Sequence, residues 1–254
     1  MPDHLIGKHA LVTGGGTGIG LAIARLLAAK GACVTITGRR ADVLEQATAD
    51  NPGLYARAMD VCDETSVIDT VQGAVKAQGP ISICVANAGI AEGKALHKTD
   101  LSDWRRTMAT NLDGSFLTIR ECLASMRGLD WGRVIAISSI AGLKGLKGAP
   151  AYTASKHGMI GLVRGLSADY LGSGLTFNAI CPGYVDTAIV DSNVEQISTR
   201  AGIDATSARA IMVNTNPHKR LIAPDEVATA ALWLCSPGSK SVNGQAIEIS
   251  GGQM

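Results

Sequence analysis

The chain has 254 residues, enough for one large α/β domain with a substantial core. Hydrophobic residues make up 46% and aromatics only 4%, so burial must come from Ala, Val, Ile and Leu, the composition of a parallel sheet packed between helices. With 23 basic and 22 acidic residues the net charge is +1, which provides no electrostatic footprint for nucleic acid or an anionic membrane.

Charged residues such as Arg25, Lys30, Arg133 and Arg164 interrupt the apolar stretches well before the roughly 18 residues of a membrane span. The six cysteines (Cys33, Cys62, Cys84, Cys122, Cys181, Cys235) are scattered through apolar patterns with no CxxC pair, and no secretory signal is present. That usage predicts buried reduced thiols, no metal site and a cytoplasmic protein.

Residues 8–13 (KHALVT) read as a short apolar strand that runs into TGGGTGIG over 13–20, and a helical pattern follows over 21–29. In such a strand, glycine turn and helix, Gly14 lets the chain turn sharply. Gly18 and Gly20 let a pyrophosphate and the sheet approach the backbone at a helix N-terminus, where free N–H groups favour anions. The spacing is G-x-x-x-G-x-G, unlike the G-x-G-x-x-G of the general dinucleotide fingerprint. A second strand over 33–37 ends in Gly38, Arg39 and Arg40, about 20 residues after the turn, where the adenosine ribose is read. An Asp there would bind the ribose 2′-hydroxyl and repel a 2′-phosphate, whereas an Arg fork holds that phosphate by charge-assisted hydrogen bonds. NADP(H) is therefore favoured. NAD(H) is the alternative if Arg39 and Arg40 are solvated loop cations, and Thr17 places no second basic residue in the glycine loop.

A helix over 42–49, a strand over 54–59, a helix over 64–77 and a strand over Ile81–Ala86 continue the alternation, and Asn87, Ala88 and Gly89 follow. A helix over 102–123 carries Asn111, and a lone Asn in a helix is ordinarily a local backbone hydrogen bonder. The strand pattern over 134–137 leads to Ser139 and a Gly-rich turn. A helix to about residue 171 then carries Tyr152 and Lys156 one turn apart on one face. The ammonium is expected to favour the phenolate and lower the Tyr152 pKa from about 10 toward working pH, where the phenol acts as general acid or base. Ser139 could donate to the same oxygen. A strand over 175–180 precedes residues 181–187 (CPGYVDT), and Pro224–Leu234 and Ala246–Ile249 read as the last helix and strand.

The glycine spacing and the Ser139, Tyr152, Lys156 set, in this order, resemble the short-chain dehydrogenase/reductase family over essentially the whole chain, from Gly7 to Gly251 and Gly252. The resemblance implies a single domain over 1–254 with a Rossmann-type doubly wound parallel sheet between two helical layers. It also implies an oxidoreductase acting on a ketone or secondary alcohol. Tyr152 would transfer the proton, Ser139 would position the substrate oxygen, and Lys156 would serve both the phenol and the nicotinamide ribose. Asn111 would bend its helix and hold a water leading from Lys156 to solvent. Cofactor contacts would come from Gly14, Thr17, Gly18, Ile19, Gly20, Arg39, Asp60, Val61, Asn87, Ala88, Gly89, Pro182, Gly183, Val185 and Thr187, together with Tyr152 and Lys156. Asp60 could equally be a helix cap.

Residues 188–221 carry apolar positions such as Ile189, Val194, Ile197 and Met212, suggesting short amphipathic helices over the substrate, a lid, or else an oligomer contact. A homotetramer is expected from the resemblance, with Ala154, Gly158, Gly161 and Gly165 permitting a second helix to approach or packing on the chain's own sheet. Lys144, Lys147, His218, Lys219 and Arg220 suggest an anionic substrate, a 3-oxoacyl thioester or 3-oxo acid. The alternative is an uncharged ketone or secondary alcohol. The chain is similar to hydroxybutyrate dehydrogenases in Lys156, His157 and Gly158, but carries Ala91 and Ala141 where those have Gln and His. A non-catalytic cofactor sensor would lack Tyr152 or Lys156, and an extended epimerase or dehydratase would need a larger C-terminal domain.

Overall fold

The computed structural model describes residues 4–49 and 51–253. Its strands are β1 (His9–Thr13), β2 (Cys33–Gly38), β3 (Leu54–Ala58), β4 (Ile81–Ala86), β5 (Gly132–Ile137), β6 (Leu175–Pro182) and β7 (Ala246–Ile249). They form one sheet in the order β3-β2-β1-β4-β5-β6-β7, and every pairing is parallel. The chain builds outward from β1 to β3, then returns to the other side of β1 with β4. The strand order therefore reverses between β1 and β4, which opens a crevice at the C-terminal strand ends.

The helices are α1 (Gly18–Ala28), α2 (Ala41–Ala49), α3 (Glu64–Gln78), α4 (Leu101–Met108), α5 (Gly114–Met126), α6 (Pro150–Asp169), α7 (Ala188–Ala201), α8 (Ala205–Thr215) and α9 (Pro224–Leu234). Alternation along β1 sends Ala10 and Val12 to one face and Leu11 to the other. The first face is covered by α1, α2 and α9 through Ile23, Leu27, Leu44, Val227 and Leu234. The second is covered by α3, α5 and α6 through Val67, Val71, Ile119, Met126, Met159 and Val163. These are the expected three layers. Two-sided burial is what the Val- and Ile-rich strands require.

Local chemistry sets the element ends. Asp63 caps α3 by accepting from the N–H groups of Thr65 and Ser66, and Asp100 and Asp103 form a reciprocal capping box at α4. Proline opens both α6 and α9. The boundaries read from the pattern shift by a few residues: α1 begins at Gly18, and β6 continues to Pro182.

The helix expected over 102–123 is interrupted. Residues Ala109–Asp113 form a π-helical turn between α4 and α5, with Asn111 wholly buried inside it. The thiols also divide. Cys84, Cys122, Cys181 and Cys235 are buried, but Cys33 is half-buried and Cys62 exposed, because Cys62 sits in the loop before α3 and not in an apolar element. Helices α7 and α8 pack on each other through a separate small cluster, Val190, Val194, Ala208 and Met212. A bridge between Val185 and Ile222 ties their two ends to the body. Among the described residues, no helix is long and apolar enough to cross a membrane, and no group of metal-ligating side chains converges.

Candidate active site

The crevice where the strand order reverses holds a cavity of about 530 Å³. Of the residues expected at a cofactor, Gly14, Thr17, Arg39, Asp60, Val61, Ala88 and Gly89 line it. The turn entering it leaves no room for side chains: Gly14 has φ +62°, and a Cβ on Gly20 would fall 2.3 Å from the Gly14 carbonyl oxygen. Thr17 makes no side-chain cap for α1, and the first α-helical bond runs from the Leu21 N–H to the Thr17 carbonyl. The N–H groups of Gly18, Ile19 and Gly20 thus have no intrahelical partner, as at every helix start. They are the donors a pyrophosphate would take. The buried hydroxyl of Thr37, at the end of β2 in the cavity wall, has no hydrogen-bond partner. Arg39 and Arg40 are exposed on the same wall. The residues present fit a dinucleotide.

Asp60 is not the cap of α3; its carboxylate accepts from the Cys62 N–H at 2.9 Å, and Asp63 does the capping. Asn87 stands behind the cavity wall and not in it. Its side-chain amide donates to the carbonyls of Thr13 (2.8 Å) and Gly14 (3.3 Å), and the Thr13 hydroxyl accepts from the N–H groups of Asn87 and Ala88. This fastens the end of β4 to the glycine turn. Gly18 and Gly20 also lie outside the cavity wall, where Thr187 packs within 3.1 Å of a Cβ placed on Gly18.

Beyond Gly89 the crevice continues into a chamber of about 110 Å³ lined by Ile19, Ser139, Tyr152, Pro182, Gly183, Val185 and Thr187. A second chamber of about 170 Å³ lies between Tyr152 and α7. Tyr152, Tyr184, Asn193, Leu146 and Ala91 border both. Ser139 lines the same chamber as Tyr152, and its oxygen accepts from the Ala141 N–H at 3.1 Å. Asn111 is fully engaged. Its Oδ1 accepts from the Ile90 N–H (2.8 Å), and its Nδ2 donates to the Ile90 carbonyl and the Ser155 hydroxyl (3.0 Å each). Its own carbonyl accepts from the Ser115 hydroxyl at 2.7 Å. The π turn is the local result, and it staples the loop after Gly89 to α6.

The expected electrostatics of the Tyr152 and Lys156 pair need correction. Burial raises the Tyr152 pKa, and the neighbouring Ser139 hydroxyl only partly opposes it. Lys156 does not offset this, because its own pKa lies below that of the phenol and it is neutral by the time the phenol titrates; its ammonium donates to the Ile137 carbonyl at 2.9 Å and the Met159 thioether at 3.4 Å. That leaves it 5.8 Å from the Tyr152 ring centre. Burial in turn brings the Lys156 pKa down to about 8.

The expected basic patch does not converge either. Lys144 donates to the Gln253 carbonyl, Lys219 to the Asn214 carbonyl, and Arg220 forks onto Glu226 at 2.6 and 2.8 Å. The His218 ring lies against Gly251. Of the five, Lys147 alone lines a chamber. On α6, Gly158 packs on Leu112 of the same chain, while Gly161 and Gly165 face open space.

Tyr184, Asn193 and Gln196 were not singled out from the sequence. The i, i+3 spacing of Asn193 and Gln196 on a helix otherwise apolar toward the core was a signal for them.

A family model described as short chain dehydrogenase matches residues 8–198. The chain is 38% identical to the cis-4-hydroxycyclohexanecarboxylate dehydrogenase of Sinomonas cyclohexanicum, across 99% of this chain and 98% of that protein. It is 32% identical to the 3-oxoacyl-[acyl-carrier-protein] reductase FabG of Aquifex aeolicus, across 99% of each. The crystal structure of a single-residue variant of actinorhodin polyketide ketoreductase with NADPH superposes with a TM-score of 0.94 at 32% identity, covering 97% of both chains. The protein belongs to the short chain dehydrogenase family and is an NAD(P)-dependent oxidoreductase acting on CH–OH groups.

Proposed function

We propose that the protein is an NADPH-preferring ketone reductase whose substrate is a 3-oxoacyl thioester or 3-oxo acid. It works as a single domain with 188–221 as the lid. The observation that carries the reading is that Ser139 and Tyr152 line the same chamber, with Tyr152 also bordering the second. When bound, the nicotinamide supplies the hydride. Ser139 orients the substrate carbonyl, and Tyr152, kept protonated by burial, delivers its proton to that oxygen. Lys156 holds positive charge behind the phenol, and Asn111 fixes the loop after Gly89 against α6. Helices α7 and α8 exclude water from the chamber.

The absence of a carboxylate at the end of β2, with Arg39 free of any ion pair among the described residues, supports NADPH. Similarity to a 3-oxoacyl-[acyl-carrier-protein] reductase and a polyketide ketoreductase supports the acyl substrate. A second reading, an uncharged ketone, is favoured by the engagement of three of the five basic groups, Lys144, Lys219 and Arg220, away from the chambers. The open face of α6 at Gly161 and Gly165 supports a homo-oligomer, and the protein is assigned to the cytoplasm. The test is the ratio of kcat/KM with NADPH and NADH, together with rates on acetoacetyl-CoA, acetoacetate and an uncharged aryl ketone. NADPH should be preferred, and Arg39→Ala should reduce the preference by about 1.5–3 kcal/mol, the size of a lost hydrogen bond to a charged group. A ratio of one, or an NADH preference, overturns the cofactor assignment. A best rate on the aryl ketone replaces the acyl substrate with the second reading.

A further inference from the structure

Lys144 stands in the loop between Ser139 and Tyr152, yet its ammonium is turned away from the substrate chamber to the main-chain carbonyl of Gln253, at 2.7 Å. Gln253 is itself fixed from three directions. Its N–H donates to Glu248 Oε1 and Ser250 Oγ at 3.0 Å each, and its side-chain amide donates to the Thr215 carbonyl, at the end of α8, at 3.2 Å. The intervening chain leaves no slack. Gly251 has φ +73°, and a Cβ there would fall 2.4 Å from the His218 ring. Ser250 lies 3.3 Å from a Cβ placed on Gly183, in the chamber wall. The last residues of the chain thus touch the strand end at Gly183, the end of α8 and the Lys144 loop together.

The loop has reason to need this tie. Leu146, Lys147, Gly148 and Ala149 line the chamber, but Gly145 and Gly148 beside them meet no neighbouring atom within 4 Å of a Cβ position. Ordering a glycine-flanked loop costs more conformational entropy than ordering an ordinary one. A charge-assisted bond to a fixed carbonyl, donated one residue before Gly145, offsets part of that cost.

We infer that Lys144 is a positioning residue. It straps the substrate-facing loop to the C-terminal segment and through it to the lid, and does not read the charge of the substrate. This rests on the reading of the Tyr152 chambers as the substrate site.

The experiment measures kcat and KM for acetoacetyl-CoA and an uncharged aryl ketone, with NADPH Kd and Tm, in the full-length chain and in Lys144→Met, Lys144→Arg, Gln253→Ala and Lys144→Met with Gln253→Ala. Lys144→Met should raise KM for both ketones by a common factor of about ten, near the lower end of what a hydrogen bond to a charged group contributes. NADPH Kd should not move, and Lys144→Arg should restore most of the loss. In the Gln253→Ala background, Lys144→Met should have a smaller effect, because the carbonyl it grips is already loose. A rise in KM confined to the charged substrate overturns the proposal in favour of charge recognition. Unchanged KM, full additivity with Gln253→Ala, or a lowered Tm with weakened NADPH binding that arginine does not restore also overturns it. If the unmodified protein turns over no ketone, the activity reading fails separately. Amide hydrogen exchange over 140–149 then decides the strap: faster exchange in Lys144→Met supports it, and equal exchange overturns it.

Discussion

The Lys156 ammonium donates to the main-chain carbonyl of Ile137 at 2.9 Å, two residues before Ser139 at the end of β5. This links the helix that carries Tyr152 to the end of the strand that leads into Ser139. It also separates the electrostatics of the pair. The phenol is raised by burial and stays protonated, while the lysine, lowered to about 8, is the group that titrates near neutrality.

The pH dependence of reduction follows with a definite sign. Below about 8 both Lys156 and Tyr152 carry their protons, the state that donates to a ketone. Loss of the lysine proton removes the positive charge behind the phenol. The kcat/KM for NADPH in the reductive direction reports the free enzyme. It should be level below about 8 and fall above it. An alkaline limb centred above 10 would show that Lys156 is not the controlling group.

Tyr152→Phe should lower kcat by orders of magnitude and leave NADPH affinity nearly intact, because only the proton-bearing hydroxyl is lost and the ring still borders both chambers. Single-turnover rates and NADPH titration by fluorescence measure the two effects. Retention of a tenth of the rate would remove the proton-transfer role.

The parts of the site legible in the sequence are those that depend on local geometry. Gly14 and Gly20 announce the phosphate turn because no side chain fits there, and Tyr152 and Lys156 share a helix face by spacing alone. What was hidden depends on where long side chains end. The direction of the Tyr152 shift is set by its burial, and Lys156 ends on the Ile137 carbonyl; spacing encodes neither the burial of a side chain nor its rotamer. Lys144 and Lys147 looked equivalent because they are three residues apart, yet one grips Gln253 and the other borders the chamber. Tyr184 reaches both chambers from a segment whose neighbouring residues were expected at the cofactor.

The residues alone mark Asn111 only as an unusual residue in a helix; the family resemblance implies a bend there, and the structure gives it the form of a π turn. Its side chain satisfies both backbone groups of Ile90 and the Ser155 hydroxyl. Asn111→Ala would leave buried polar groups unpaired, at about 1–3 kcal/mol each. A stability loss of about 2–5 kcal/mol is expected from the urea midpoint with an unchanged m value. Leucine should do no better, since it replaces volume without donors. A loss below about 1 kcal/mol would mean that Ile90 finds other partners.

The opposite end of the sheet holds another buried titratable group. His9 is buried at the start of β1, with Nδ1 2.8 Å from the Gly79 carbonyl and Nε2 2.9 Å from the Thr35 hydroxyl. A carbonyl only accepts, so Nδ1 carries the proton, and the neutral ring accepts from Thr35 through Nε2. Burial lowers the His9 pKa, and nearby Arg57 adds to this while the bond to Gly79 opposes it. With the folded value below the unfolded one of about 6.5, the unfolded chain binds more protons in the interval between them. The stability contributed by neutral His9 is therefore complete above about 6.5 and is lost as pH falls toward the folded value. The slope is at most about 1.4 kcal/mol per pH unit for one proton. His9→Gln should be less stable at pH 7.5, since the paired carbonyl and hydroxyl lose their fitted partner. From pH 6.5 downward, however, its urea midpoint should fall less steeply than that of the unmodified protein. Carboxylates elsewhere titrate equally in both proteins and cancel in the difference. Parallel curves would show that His9 enters the native state charged.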